Sequence, residues 1–444
     1  MPERIVIRGG RVIDPARSFD ATADVLIEDG RIVAVEPGAS APGAREIDAR
    51  GLIVAPGFVD LHAHLRDPGF EYKEDIASGT LAAARGGFTT ICAMPNTQPP
   101  MDTRATVEYV LRRAATTGLV RVLPIGAVTK GRAGEELAEL GDLADAGCVA
   151  FSDDGAPLAD ATLMRRALEY AGAFGLPVID HCEDPSLAKD AVMHEGWVST
   201  RLGLRGAPAA AEEAMVQRDM ALAEATGGRV HIAHVSTRGA IEAIRRAKAR
   251  GIAVTAEVSP HHLTLTDETV AFGALGGDAL IYETNAKVNP PLRAQADVDA
   301  CVAALVDGTL DCIATDHAPH AIVEKLCEFD DAAFGISGLE TAFGLCMRLV
   351  QAGSIDLGTL IERLTAGPAR ALGLGRHVDG IGSLAAGSPA DVVLLDPAAE
   401  WTVEPERFAS KGRNTPLAGV TLKGMVVATI AGGRVVHEAG VAVA

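Results

Sequence analysis

Val54-Ala55-Pro56-Gly57-Phe58-Val59-Asp60-Leu61-His62-Ala63-His64-Leu65-Arg66-Asp67-Pro68-Gly69 is the stretch on which the fold turns. An apolar run, read as a strand over Val54–Leu61, ends in two histidines. On a strand, residues i and i+2 point to one face. His62 and His64 can therefore offer two imidazoles to one metal ion, at the ~2.0–2.1 Å typical of zinc. An HxH pair alone is equally a pair of interior histidines, so the rest of the chain has to decide.

Downstream, short β-branched runs alternate with Ala-rich helical stretches. The strands read as Thr89–Met94, Val120–Val128, Val149–Asp153, Pro177–His181, Val230–Val235, Ile252–Val258 and Cys312–Thr315. Helices are predicted over Ala77–Arg85, Thr103–Ala115, Ala161–Ala173, Ala211–Ala225 and Arg238–Arg250. With Val54–Leu61 this makes eight strands in βα alternation, the pattern of a (β/α)8 TIM-type barrel in the α/β class. The competing open sheet of the dinucleotide-binding type lacks a GxGxxG after its first strand.

In such barrels the site is built at the C-terminal ends of several strands. Here those ends carry His62 and His64, Asp153 and Asp154, His181, His234 and Asp316. Five strand ends bearing metal-ligand types exceed what chance supplies. His231 and His234 are three apart, so strand alternation lets only one face the site, and His234 is nearer the end. His261 and His262 read as loop or supporting residues, and His194, His377 and His437 as surface ones. Cys182, beside His181, points away by strand parity and reads as packing. Four histidines and two aspartates without a thiolate favour zinc, with Mn²⁺, Co²⁺ or Fe²⁺ as substitutes.

The two ends of the chain share a different style. Arg4–Arg8 and Arg11–Asp14 flank Gly9-Gly10, and Asp29-Gly30 between two apolar runs signals a hairpin. Ala390–Asp396 and Gly424–Ile430 resemble them. A small β-sandwich domain from residues 1–54 and 376–444 is expected, around a barrel of 55–375. The 444 residues suit that division, since α/β barrels routinely exceed ~200 residues as one domain.

Composition narrows the class. The chain is 48% hydrophobic and 22% charged, which excludes a disordered or fibrous protein. Lys+Arg 40 against Asp+Glu 59 gives a net charge of −19, which disfavours nucleic-acid and anionic membrane partners. Seven scattered cysteines, odd in number and without a CxxC, read as reduced thiols of a cytoplasmic protein. No signal-like run opens the chain, and none approaches the ~18 apolar residues of a membrane span.

Taken together the motifs resemble the amidohydrolase superfamily, and within it the class I dihydroorotases. The matching residues are Pro56–Gly69 with Tyr72-Lys73-Glu74, Arg85-Gly86-Gly87-Phe88-Thr89-Thr90, Met94-Pro95-Asn96-Thr97, Phe151-Ser152-Asp153-Asp154-Gly155, His181-Cys182-Glu183-Asp184 and His234-Val235-Ser236-Thr237. They continue with Lys287-Val288-Asn289-Pro290-Pro291-Leu292-Arg293, Ala314–His320, Phe334-Gly335-Ile336 with Gly338–Thr341, and Ser410–Pro416. HxH alone marks the superfamily; HxHxRxPG, MPNT, VNPPLR and TDHAPH together are specific, and they span nearly the whole chain.

The resemblance implies reversible closure of N-carbamoyl-L-aspartate to L-dihydroorotate in pyrimidine biosynthesis, with one or two Zn²⁺ per chain. It implies His62 and His64 on one metal and His181 and His234 on a second. Asp154 is the expected bridge, with Asp153 the alternative, where many superfamily members carry a modified lysine. Asp316 is implied as ligand and general acid/base, and Arg66, Asn96 and His320 as carboxylate contacts. Asn289 would meet the ring or carbamoyl group, and Phe334 and Gly335 close the substrate site. The stretch Ala321–Gly335 reads as a lid, with Ala332-Ala333 where a proline is expected before the Phe. A homo-oligomer is expected, and some class I enzymes partner aspartate transcarbamoylase. The rival readings are a dihydropyrimidinase, hydantoinase or allantoinase, and a non-catalytic partner chain. The first generally carries the bridging lysine, and the second lacks ligand histidines.

Overall fold

A computed structural model describes residues 4–440. Among them, eight parallel strands follow one another in chain order: β1 Phe58–Ala63, β2 Phe88–Ala93, β3 Arg121–Gly126, β4 Ala150–Ser152, β5 Val178–Asp180, β6 Val230–Ile232, β7 Val254–Val258 and β8 Cys312–Ile313. Just past β8, the His64 amide donates to His317 O at 2.9 Å and Ala63 pairs with His317, which brings the last strand back to the first. The sheet is thus the expected (β/α)8 barrel.

The intervening helices start where local chemistry allows. Asp75, Thr103, Asp160 and Thr237 each accept a backbone N–H at the start of Ile76–Arg85, Arg104–Thr117, Ala161–Gly172 and Arg238–Ala249. These bounds lie within two residues of the expected ones. Most strands are shorter than expected, because their last residues bend away as site loops. Leu372 and Leu374 join Val59, Leu61, Cys92, Ile125, Ile179 and Cys312 in one buried cluster.

The predicted strand Val54–Leu61 is in fact two. Ile53–Pro56 belongs to a different sheet and β1 to the barrel, with Gly57 between them. A Cβ on Gly57 would lie 2.2 Å from Thr89 Oγ1, so only glycine lets the chain cross here. Similarly, Arg4–Asp14 is one strand rather than two. Gly9, at φ 67°, makes an irregularity in it instead of a turn.

Both chain ends meet in that second sheet. Ile53–Pro56 pairs antiparallel with Val392–Leu395, so N- and C-terminal strands become neighbours. Asp29 (φ 52°) and Gly30 (φ 73°) make the expected tight hairpin. The sheet rolls back on itself where Ile32 N donates to Ser388 O and Gly387 N to Ile32 O. It encloses its own core of Ile5, Ile7, Val25, Ile27, Val392 and Ile430. No helix among the described residues is long and apolar enough to cross a membrane.

Candidate metal centre and active site

At the C-terminal rim of the barrel lies a cavity of about 210 Å³. His64, Arg66, Asn96, Asp154, His181, His234, Asn289, Asp316, His320, Phe334 and Gly335 all line it. Of the residues expected in the site, His62 and the alternative bridge Asp153 are missing from that lining, and His62 sits fully buried behind it. A larger cleft of about 510 Å³, between Phe343 and Trp401, contains one histidine and no cluster of candidate ligands among the described residues.

Asp154 stands at the centre. Its Oδ2 is 3.2 Å from His62 Nε2 and 3.5 Å from His64 Nε2. Its Oδ1 is 3.4 Å from His234 Nε2 and 3.8 Å from His181 Nδ1. One carboxylate therefore spans two histidine pairs. Asp316 Oδ1 lies 3.3 Å from His64 Nε2 and 3.5 Å from His62 Nε2, on the first pair's side. Asp153 is turned away: it accepts from Val128 N at 2.9 Å, Thr129 N at 3.1 Å and the Thr129 hydroxyl.

The donors fit a metal ion. His62 Nε2 and Asp154 Oδ1 are buried without a hydrogen-bond partner, which is costly unless something else satisfies them. Five of the residues form two overlapping groups, His62–His64–Asp316 and His62–Asp154–His234, each with its ligand atoms within 4.8 Å of one another. The field favours a cation. Burial pulls the His62 imidazole down, yet the Asp154 and Glu257 carboxylates outweigh it and hold its pKa well above the usual value. Burial pushes Asp316 up, but His64, His62 and His234 outweigh it and keep its carboxyl far below the usual range.

Three site residues adopt left-handed backbone without being glycine: Arg66 (φ 61°), His234 (φ 33°) and Asp316 (φ 47°). Such conformations cost about 1–3 kcal/mol each and persist where the surroundings impose them. They also explain a departure from strand alternation. β6 ends at Ile232, so parity no longer governs His234, whose backbone re-aims the side chain into the cavity. His231 is not turned out of the barrel either: its Nε2 lies 3.1 Å from Glu257 Oε2.

The anion-facing wall is Arg66. Its side chain is half-buried, and the loss of water around the guanidinium pushes its pKa down to about 10. It donates to Pro319 O at 3.3 Å and has no carboxylate within 4.0 Å among the described residues. Asn96 Oδ1 accepts from His64 Nδ1 at 2.8 Å, which leaves His64 Nε2 free to ligate. Asn289 Nδ2 lies 3.2 Å from His181 Nε2 and 3.2 Å from Glu183 Oε2. His320 differs from a simple carboxylate contact: its Nε2–H donates to Phe334 O at 2.8 Å. Burial, then Arg66 and Lys73, lower its pKa to about 3. A neutral His320 thus braces the loop beside Arg66.

The stretch 321–335, of which Phe334 and Gly335 line the cavity, is anchored by buried lysines. Lys325 Nζ donates to Thr284 O, Lys287 O and Ala333 O, and Lys287 Nζ to Phe329 O and Asp330 O. Lys73 pairs with Glu324 at 2.6 Å across the top. Gly335 has φ 144°, and a Cβ there would come within 2.7 Å of Ala318, so no side chain fits.

Sequence reasoning missed several supports. Asp60 accepts from Thr315 N and Oγ1 at 2.8 and 2.5 Å, pinning β1 beside Asp316. It precedes His62 by the same two residues that separate His62 from His64, a signal available in the sequence. Asn414 accepts from His320 N and donates to Ala318 O and Gly335 O, while Glu74 accepts from His317 and Ser410. Glu257, a charge inside an apolar strand, was also legible as an anomaly. His194 and His437 are half-buried rather than surface residues, and His194 Nδ1 faces Arg293 Nη1 at 3.2 Å; His377 is exposed. Cys182 is buried beside Asp180 and Asp219, and the Arg218 guanidinium already fills that acidic group at 2.6 Å from Asp219.

Comparison with known proteins agrees with this geometry. The family described as Dihydro-orotase-like matches residues 51–240, and that described as Amidohydrolase family matches 204–437. The dihydroorotase of Anaeromyxobacter sp. (strain K) is 57% identical over 441 residues, 99% of both chains. That of Citrifermentans bemidjiense is 52% identical over 436 residues, 98% of this chain and 100% of the relative. The chain belongs to the dihydroorotase family. Among solved structures, the L-hydantoinase (dihydropyrimidinase) of Arthrobacter aurescens has a TM-score of 0.87 at 25% identity, covering 100% of this chain and 98% of its own. Brevibacillus agri dihydropyrimidinase has 0.83 at 23% identity, covering 98% and 95%, a likeness of fold. Family membership makes this chain a metal-dependent cyclic amide hydrolase.

Proposed function

We propose that the chain is a zinc-dependent dihydroorotase, interconverting N-carbamoyl-L-aspartate and L-dihydroorotate. The observation that carries this reading is Arg66: a half-buried guanidinium without a carboxylate within ion-pair distance, in the cavity that holds the histidine–aspartate cluster. Both reactants keep a free α-carboxylate, and a planar fork grips it bidentately. A hydantoinase substrate brings no such anion, and Asp154 stands where a bridging lysine is expected in those enzymes.

His62, His64, His181 and His234 would hold the metal, one or two ions, with Asp154 between the pairs and Asp316 on the His62/His64 side. Zinc bound there supplies Lewis acidity that polarises the amide carbonyl and acidifies water. Asp316 Oδ moves the proton. In hydrolysis it takes one from the attacking water and hands it to the departing ring nitrogen. In cyclisation it removes one from the carbamoyl nitrogen as that attacks the side-chain carboxyl, and returns it to the departing oxygen. Asn96 keeps His64 in its ligating orientation and contacts the same carboxylate as Arg66. Asn289 meets the carbamoyl group or ring, and Phe334 and Gly335 with the 321–335 stretch exclude water.

On this reading residues 55–375 carry the chemistry, and the described residues of 1–54 and 376–444 form a β unit that also takes in Ala55 and Pro56 and lends Ser410 and Asn414 to the support of the site. The chain works in the cytoplasm as a homo-oligomer, and co-elution with aspartate transcarbamoylase tests whether that enzyme is its partner. The deciding assay is dihydroorotate hydrolysis by metal-analysed protein with hydantoin alongside. Turnover of dihydroorotate at a counted zinc content supports the reading. Turnover of hydantoin alone would replace it with the hydantoinase alternative.

A further inference from the structure

Behind the first histidine pair lies a buried chain that the reaction as described does not use. His62 Nδ1 is 2.7 Å from Glu257 Oε1. Glu257 Oε2 is 3.1 Å from His231 Nε2, and His231 Nδ1 is 2.8 Å from Thr255 Oγ1. His62 and His231 have no exposed surface and Glu257 has 1%. The three residues come from β1, β7 and β6, so the contact is made by tertiary structure alone.

The protons can be followed along this chain. The Thr255 hydroxyl donates to Ala371 O at 3.3 Å, so its oxygen accepts from His231 Nδ1, and His231 Nε2–H donates to Glu257. The second carboxylate oxygen then accepts the Nδ1–H of His62. When a metal ion takes the place of its second proton, His62 is left with the lone pair on Nε2, the atom facing Asp154 Oδ2 at 3.2 Å. A carboxylate behind an imidazole fixes its tautomer and raises its basicity as a ligand. A carbonyl would fix the tautomer with less charge, and a water could exchange. Glu257 also adds a third buried carboxylate to Asp154 and Asp316, one imidazole removed from the space where a dication would sit.

We propose that Glu257, seated by His231, is a positioning residue that holds His62 Nε2 toward the metal. This rests on reading His62 as a ligand. The test is metal binding itself, by chelator competition on Glu257→Gln, with His62→Ala as the control. Glutamine keeps the size and one acceptor but removes the charge that His62 Nδ1 and His231 Nε2 both face. The Gln variant should bind zinc about 10- to 100-fold more weakly. Its cobalt-substituted form should show a shifted visible absorption, and its metal-free melting temperature should not fall. Unchanged affinity in Glu257→Gln, with metal lost in His62→Ala, would overturn the role of Glu257. Unchanged affinity in His62→Ala would instead overturn the ligand reading beneath it. A variant that does not fold leaves a measurement on the zinc-loaded wild type. There, ¹⁵N-edited NMR should find a slowly exchanging Nδ1–H on His62, and a protonated Nε2 would refute the proposal.

Discussion

Replacing Arg66 by alanine should raise KM steeply, leave kcat nearly intact and not destabilise the protein. The three parts follow from one observation. Arg66 is half-buried, and desolvation lowers its pKa from the ordinary guanidinium value to about 10. At about 1.4 kcal/mol per pKa unit, the desolvated charge costs the free enzyme roughly 3 kcal/mol. Asp316, Asp154 and Glu324 offset that cost only in part, from beyond ion-pair distance. A substrate carboxylate would, through two charge-assisted hydrogen bonds, and truncating such a buried pair costs about 2–5 kcal/mol. At about 1.4 kcal/mol per tenfold, KM should rise roughly 30- to 4000-fold. The α-carboxylate is gripped before and during reaction alike, so kcat should change little. Arg66→Lys should fall between, since it keeps the charge and loses the fork. Steady-state kinetics in both directions, with metal-free melting curves, test all three. An unchanged KM, or a loss confined to kcat, would refute the reasoning.

Three further perturbations test other parts of the site. Asp316→Asn should retain metal yet lose about 10²- to 10⁴-fold in kcat, the range of a lost general acid/base, and near-normal turnover would remove Asp316 from proton transfer. Asp154→Asn should lower zinc content measured by elemental analysis. Asp153→Asn should instead cost about 1–3 kcal/mol of stability with zinc unchanged, because Asp153 serves only backbone donors and Thr129; the reverse pattern would exchange their roles. Away from the metal, burial raises Glu340 to about 7 despite hydrogen bonds from Ala409 and Ser410 and the charge of Arg85. Its folded pKa exceeds its unfolded one, so the folded state binds the extra proton between pH ~4.5 and ~7 and stability falls as pH rises through that window. Glu340→Gln should flatten this slope and match or exceed the wild type at pH 8, and denaturant melts showing the wild-type slope retained would count against it.

Much of the molecule was legible before its structure. The βα alternation set the barrel because each strand must be covered by a helix, and the period change is visible in composition. Helix bounds followed from capping residues that act within one turn. The HxH pair, His181, His234 and Asp316 were found because a barrel gathers strand ends at one rim. The break at Gly57 escaped notice, since Val54–Leu61 is uniformly apolar and only the Thr89 side chain across the gap forbids a larger residue.

Sequence by itself thus determined the fold class, the residue types at the rim and the family, all properties of local pattern and order along the chain. Tertiary structure alone decided which of two adjacent aspartates spans the histidine pairs. Asp153 and Asp154 are chemically identical, and only the Val128 and Thr129 amides, brought in by the exit of β3, claim the first. It also decided that His231 serves Glu257 and His62 and that Arg66 lacks an ionic partner. Each of these depends on distances between residues far apart in the chain, which strand parity and motif spacing do not encode.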